Sequence, residues 1–254
     1  MFQIERQEQI LDYINNTQTA NTGELAEHFH VSKVTIRRDI DALAAKGLVV
    51  KTHGGAVAIS NSPLYEIPYS QKVEHNPSAK KSIGIAAAAC IKDGDIIILD
   101  SGSTTLEIAK NITQKNVTVV TDDIKIAMEL SCKNNVTVIV CGGTLSDPVY
   151  TLTGNMSVSF FSRLHVNKTF LGCDAVDLDF GISNRTYEEV DVKSAMIHAA
   201  DEIIMVTDNS KLDKKVFCYL CDISSIDKLI INKIDERNRR GFIEKGVEII
   251  VTEE

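Results

Sequence analysis

Between residues 96 and 251 the chain returns seven times to a short, mostly β-branched apolar run: Ile96–Leu99, Val117–Val120, Val136–Val140, Thr169–Leu171, Ile203–Val206, Leu229–Ile231 and Val247–Val251. Each is too short for a buried helix, and none shows the polar alternation of a strand with one wet face. Helical stretches are predicted between most of them, at about 104–112, 123–132, 156–165, 186–200 and 235–245. Strands buried on both faces and separated by helices build a largely parallel α/β sheet covered on both sides. Such sheets take ligands in the crevice beyond the C-terminal ends of their strands. Residues that directly follow the apolar runs are therefore the first place to look for a site.

The first fifty-seven residues follow another pattern. Ile4, Ile10, Leu11 and Ile14 space out one face of an amphipathic helix. Asn21 or Thr22 caps a short second helix carrying Leu25, Ala26 and Phe29. His30-Val31 makes a turn, and Ser32 caps a third helix from Lys33 to about Lys46, with Gly47 beyond its end. Leu48 to Val57 reads as a hairpin with Gly54-Gly55 near its end. Three short helices and a hairpin make a winged helix-turn-helix over residues 1–57.

In the third helix Ile36, Ile40 and Leu43 share the inward stripe. Arg38 then lies opposite, with Val34 and Thr35 on either side and Arg37 on a flank. Recognition helices read the major groove near their N-terminus. Arg38 is placed to fork onto a guanine edge or a phosphate, Ser32 and Thr35 to donate to phosphate or base, and Val34 to touch a thymine methyl. Lys51 and His53, on the wing, are placed for the backbone or minor groove. The net charge of −8 excludes indiscriminate coating of nucleic acid. Residues 31–53 nevertheless concentrate Lys33, Arg37, Arg38, Lys46 and Lys51 against only Asp39 and Asp41, which suits double-stranded operator DNA.

Pro63, Pro68 and Pro77 fall close together in a polar stretch, so a linker is expected over 58–76. Asn76-Pro77 reads as an N-cap followed by proline at the first helical position, opening a helix to about Ile91 and a second domain over 77–254. Its most informative loop is Asp100-Ser101-Gly102-Ser103-Thr104-Thr105, between the run Ile96–Leu99 and a helix. Backbone N–H groups at that helix start suit an anion, Gly102 permits close approach, and the hydroxyls add donors. A plain N-cap from Ser103 or Thr104 is the alternative. Asp208-Asn209-Ser210-Lys211 also follows a run, and its Asp and Lys suit sugar hydroxyls and a phosphoryl group. Lys193 is a second cation, while Asp122 and Gly142-Gly143 fall at the same sheet edge.

Other features are bland. The six cysteines sit in apolar segments as small core residues of a reducing compartment do. Cys218 and Cys221 lie in a predicted strand, where positions i and i+3 face opposite ways, so they are not a metal or redox pair. His28, His30, His165 and His198 have no ligand spacing, and no metal or cofactor is expected. The apolar stretches Ile83–Ile91 and Asp95–Leu99 are too short to span a bilayer, and no signal peptide is visible. A cytoplasmic protein without membrane association is expected.

The run Val31-Ser-Lys-Val-Thr-Ile-Arg-Arg-Asp-Ile40, then Leu43, Gly47-Leu48 and His53-Gly-Gly-Ala56, closely resembles the DNA-binding signature of the DeoR family of bacterial sugar-metabolism regulators. Ile91-Lys-Asp-Gly-Asp95, Leu99-Asp-Ser-Gly-Ser-Thr-Thr105, Val119-Val-Thr-Asp-Asp123, Cys141-Gly-Gly143, Phe170-Leu-Gly172 and Asp208-Asn-Ser-Lys211 resemble its sensor domain. The resemblance implies a repressor, in some members an activator, that answers to a phosphorylated sugar. The family usually has Thr-Asn-Ser where this chain has Thr121-Asp122-Asp123, and Gly-Thr-Thr where Ser103-Thr104-Thr105 follows Gly102. Cys173-Asp-Ala-Val-Asp177 replaces a glycine-containing turn.

The second domain is also similar to ribose-5-phosphate isomerase, in which a Gly-Ser-Thr loop binds phosphate and a Ser-Lys pair lies in the active site. An isomerase needs a base beside the carbonyl. Asp174, Asp177, Glu188 and Glu189 are candidates, but none sits in a copy of that motif and no catalytic residue is assigned. A third reading gives the second domain only an oligomerising role. The expected assembly is a homo-oligomer, dimer or tetramer, that sets two recognition helices in successive major grooves.

Overall fold

The structure, a computed structural model, describes residues 3–46, 48–58, 68–146 and 149–252. Gly47, the side chain of Ile4 and residues 59–67 of the expected linker lie outside them. The chain divides into two units, Met1–Tyr65 and Glu66–Glu254.

In the first unit α1 (Gln3–Thr17), α2 (Thr22–His28) and α3 (Lys33–Ala45) pack around Ile10, Ile14, Leu25, Ile36, Ile40 and Leu43. Local chemistry sets their ends. Asn21 forms a capping box with Glu24 at the start of α2, and Ser32 accepts from the Thr35 N–H at 3.1 Å to start α3. The buried Asp39 of α3 meets Arg6 Nε at 2.7 Å and Gln7 Nε2 at 3.2 Å, which ties α1 to α3 through a compensated charge. The expected hairpin is β2 (Val49–Lys51) and β3 (Gly55–Ala58). A third strand, β1 (Thr19–Asn21), which the sequence reading did not contain, adds to β3 and gives the antiparallel order β1-β3-β2. Gly55 makes this possible: a Cβ there would stand 2.0 Å from the Ala20 carbonyl oxygen.

In the second unit all seven apolar runs become strands of one parallel sheet. These are β4 (Ile96–Leu99), β5 (Val117–Thr121), β6 (Val136–Val140), β9 (Val166–Leu171), β12 (Ala200–Val206), β14 (Lys228–Ile231) and β15 (Glu248–Val251). Their order is β15-β14-β12-β9-β4-β5-β6. Ile97 and Leu99 pack one face against α5 (Pro77–Ala88), α6 (Ser103–Asn111) and α7 (Ile124–Ser131). Ile98 and Val120 pack the other against α8 (Asn155–Phe161) and α9 (Tyr187–His198), while Leu229 and Ile231 join Phe242 of α10 (Glu236–Glu244). From β4 the chain moves outward through β5 and β6, then returns to pair β9 with the other side of β4. The reversal of strand order falls between β4 and β9, the place where open α/β sheets open a crevice.

Three parts of this unit were not expected, although the strand carrying Cys218 and Cys221 was. A hairpin of β7 (Thr144–Ser146) and β8 (Thr151–Thr153), and an antiparallel sheet of β10 (Ala175–Asp177), β11 (Gly181–Asn184) and β13 (Cys218–Cys221), flank the main sheet. Helix α4 (Tyr69–Glu74) lies inside the span read as a linker and belongs to the second unit. Its last carbonyls are held from α5: Lys80 Nζ donates to the Lys72 and His75 oxygens. Asn76 stands at the N-cap of α5 but does not cap it; with φ of 50° its side chain donates to Asp208 Oδ1 at 3.0 Å.

Candidate functional site

Each unit carries one surface with chemistry. On the first, Ser32 and Thr35 are occupied with each other, their hydroxyls 2.9 Å apart. Ser32 also caps α3, and because only one hydroxyl of the pair donates to the other, one O–H is left to donate elsewhere. The exposed positions of α3 form two rows at i, i+4 spacing. Val34 and Arg38 make the outer row. Lys33 and Arg37 make the other, and it lines a shallow groove with Lys51, Thr52 and His53 of the wing and Gly23 of α2. Lys51 also pairs with Asp41 at 2.5 Å on the open surface.

On the second unit a pocket opens at the β4–β9 switch point. Ser101, Gly102, Ser103, Thr104 and Thr105 line it, together with Lys193, Asp208 and Lys211. Tyr69, Lys72 and His75, with Lys80, line it too, so the segment read as a linker supplies one wall. Asp174, Asn184 and Glu189 line the far part. Of the four carboxylates considered for catalysis, Asp174 and Glu189 are therefore in the pocket, whereas Asp177 pairs with Lys215 at 3.2 Å and Glu188 is not among the lining residues.

The loop 100–105 is built to present backbone. Side chains of Asn21, Ser32, Asp123, Thr186 and Asp235 cap α2, α3, α7, α9 and α10. Helix α6 starts on Gly102 at φ 144° with no side-chain cap. The alternative of an N-cap by Ser103 or Thr104 is thereby corrected: the first residues of α6 line the pocket, and no side chain caps their N–H groups. Asp123 braces the loop, accepting from the Gly102 N–H at 3.1 Å while it caps α7.

Asp100 lies behind the pocket, fully buried. It accepts from Lys193 Nζ and from the Gly172 N–H at 2.7 Å, linking the ends of β4, β9 and α9. Burial works to lower the Lys193 pKa, but the Asp100 carboxylate overrides it and keeps the ammonium charged. On Asp208, burial is outweighed by hydrogen bonds from Ser210 and Asn76, so the carboxyl titrates below its usual range. Burial on Asp174 is likewise outweighed by Lys72, 3.8 Å away, and by Lys211.

Several expected site residues fall elsewhere. Asp122 is buried beside Asp100 and Asp123, and burial first, then the Asp100 charge, hold its carboxyl well above the ordinary range. Gly142 accepts from Ser157 Oγ at 2.8 Å and, like Gly143, sits against α8 and the β7–β8 hairpin. They follow β6, two strands from the switch point, and are not among the residues that line its pocket. Ser210 gives its N–H to Asp208 at 2.9 Å and orients that carboxylate from outside the lining. Among the described residues no group of three or more His, Cys, Asp or Glu could hold a metal ion, and no helix is long and apolar enough to cross a membrane.

A winged helix-turn-helix and an α/β unit with a pocket lined by lysines and carboxylates at its switch point, carried on one chain, define a DNA-binding regulator with a sensor domain. Residues 6–62 match the DeoR-like helix-turn-helix domain, and residues 75–233 match the DeoR C terminal sensor domain. The HTH-type transcriptional repressor GlcR of Bacillus subtilis is 31% identical over 255 residues, covering 100% of this chain and 98% of that one. The L-fucose operon activator of Haemophilus influenzae is 31% identical over 240 residues, 94% of this chain and 96% of its own. The chain belongs to the DeoR family of transcriptional regulators. Among solved structures, ribose 5-phosphate isomerase A of Methanocaldococcus jannaschii aligns at a TM-score of 0.40 and 19% identity over 55% of this chain and 56% of that one, a likeness too distant to inform chemistry.

Proposed function

We propose that this regulator represses a carbohydrate-utilisation operon and that a phosphorylated sugar, bound at the β4–β9 switch point, modulates its hold on operator DNA. One observation carries the reading: the uncapped start of α6 faces a pocket that also gathers Lys72, Lys80, Lys193 and Lys211. Backbone N–H groups and ammonium groups suit a phosphate, and Asp208, Asp174 and Asn184 suit the hydroxyls of a sugar. Two protomers of a homo-oligomer, dimer or tetramer, would engage the operator in the cytoplasm. Residues 69–75 follow directly on the connection between the units and form a pocket wall. Ligand contacts with that wall would bias the connection, and regulation requires that the ligand prefer one DNA-binding state. Relatives matched over nearly their whole length are regulators, which favours sensing over isomerisation.

The test is binding to labelled DNA from upstream of the protein's own gene, with phosphorylated and free sugars added in turn. Release by one sugar phosphate and not by its free sugar is expected. Specific binding that no phosphorylated metabolite alters would remove the sensor role.

Lys80 adds a pH signature. Its burial, opposed by Asp208, brings it down to about 8 in the folded protein. The ammonium is charged below that pH and lost above it, while the ligand phosphate remains fully ionised. Affinity for a phosphorylated ligand is therefore expected to fall as pH rises from 7 to 9. The same titrations on Lys80→Met should be nearly flat, and equal slopes in the two proteins would contradict the assignment.

A further inference from the structure

On the sensor reading just given, we infer that Asn184 selects among phosphorylated ligands, its Oδ1 accepting a hydrogen bond from a ligand hydroxyl. Asn184 ends β11 in the pocket wall and is 3% exposed. Its amide nitrogen is already occupied, donating to Asp174 Oδ2 and to Glu189 Oε2, each at 3.4 Å. Two carboxylates fix the amide's orientation, because the flipped amide would set oxygen against oxygen. The oxygen is thus turned away from both acids, and it has no hydrogen-bond partner in the protein. A buried acceptor left unpaired is costly, and native structures rarely keep one without a role.

Helix α9 sets the spacing. Glu189 and Lys193 lie one turn apart on it, Glu189 against Asn184 and Lys193 against Asp100 behind the anion loop. A ligand with its phosphate at the start of α6 would extend along α9 toward Asn184. A hydroxyl fits there better than a second anion, because an anion cannot donate to an amide oxygen. It fits better than a bare apolar group, because Oδ1 needs a donor.

Full-length protein is titrated calorimetrically with inorganic phosphate, ribose 5-phosphate, fructose 6-phosphate and glucose 6-phosphate, and then with the mono-deoxy analogues of whichever sugar phosphate binds best. One analogue is expected to bind the wild type about tenfold more weakly than its parent. In Asn184→Leu, close in size but unable to accept, parent and analogue should bind alike, while the Kd for inorganic phosphate stays within about twofold of wild type. Asn184→Thr, which keeps an acceptor, should retain part of the preference, and it decides the matter if the leucine variant does not fold. An unchanged parent-to-analogue ratio in a variant that still binds inorganic phosphate overturns the role of Asn184 alone. A wild type that binds neither inorganic phosphate nor any sugar phosphate overturns the sensor reading and this inference with it.

Discussion

Replacing Lys193 with methionine is expected to destabilise the second unit by about 3–5 kcal/mol. The two side chains of the Lys193–Asp100 pair are almost fully removed from water. Methionine fills similar space but strands a carboxylate whose Oδ1 already lacks a partner and whose remaining donor is the Gly172 N–H. The loss should be far from additive. Lys193→Met combined with Asp100→Asn removes both charges, and most of the stability should return, as neighbours in one network require. Urea unfolding of the four proteins measures the coupling. A double variant as unstable as the sum of the singles would mean that the pair does not hold β4, β9 and α9 together.

Operator recognition carries the second large effect, and the two rows of α3 predict different failures. Arg38, in the outer row with Val34, is assigned to base edges. Arg38→Ala should weaken operator binding by about tenfold to a hundredfold and flatten the preference over unrelated DNA. Arg37 shares its groove with Lys33 and the wing and is assigned to phosphate. Arg37→Ala should weaken all DNA about equally and reduce the slope of log affinity against log salt by roughly one. Competition titrations at several salt concentrations separate the two. Full operator affinity and specificity in Arg38→Ala would end its assignment as a base reader.

The seven parallel strands were legible because each is an apolar, mostly β-branched run, and all seven runs were strands; burial on both faces, which the runs suggested, does not extend to the edge strands β6 and β15. The flanking hairpin, and β10 and β11 of the small antiparallel sheet, were not legible; the third strand of that sheet, β13, was expected. Segments such as Thr144-Leu-Ser146 and Gly181-Ile-Ser-Asn184 are only three and four residues long and lack an apolar run, and β11 pairs on one side with β13, remote in sequence. Helix α4 was hidden for a related reason. Its six residues carry no capping signal, and part of what holds it is Lys80, which reaches back from the next helix. The site was half legible. Residues after strands were expected to converge, but strand order decides which ends meet, and order cannot be read from runs alone. Residues 101–105, Lys193, Asp208 and Lys211 therefore fell in the pocket, while Asp100 fell behind it and Gly142 and Gly143 outside it. Asn184 was missed with the strand that carries it, and Lys72 with its helix.

The start of α6 has a consequence for the lifetime of the protein. At φ 144° position 102 is closed to ordinary side chains, so a cap cannot be introduced there without strain. On the sensor reading, a ligand that completes that turn would come from solution and add its binding free energy to the fold. By mass action, a ligand at a hundred times its Kd contributes about 2.7 kcal/mol. Proteases and chaperones sample the unfolded fraction, so copies that have found ligand would outlast copies that have not. The signal would then set how much regulator the cell holds as well as what that regulator does.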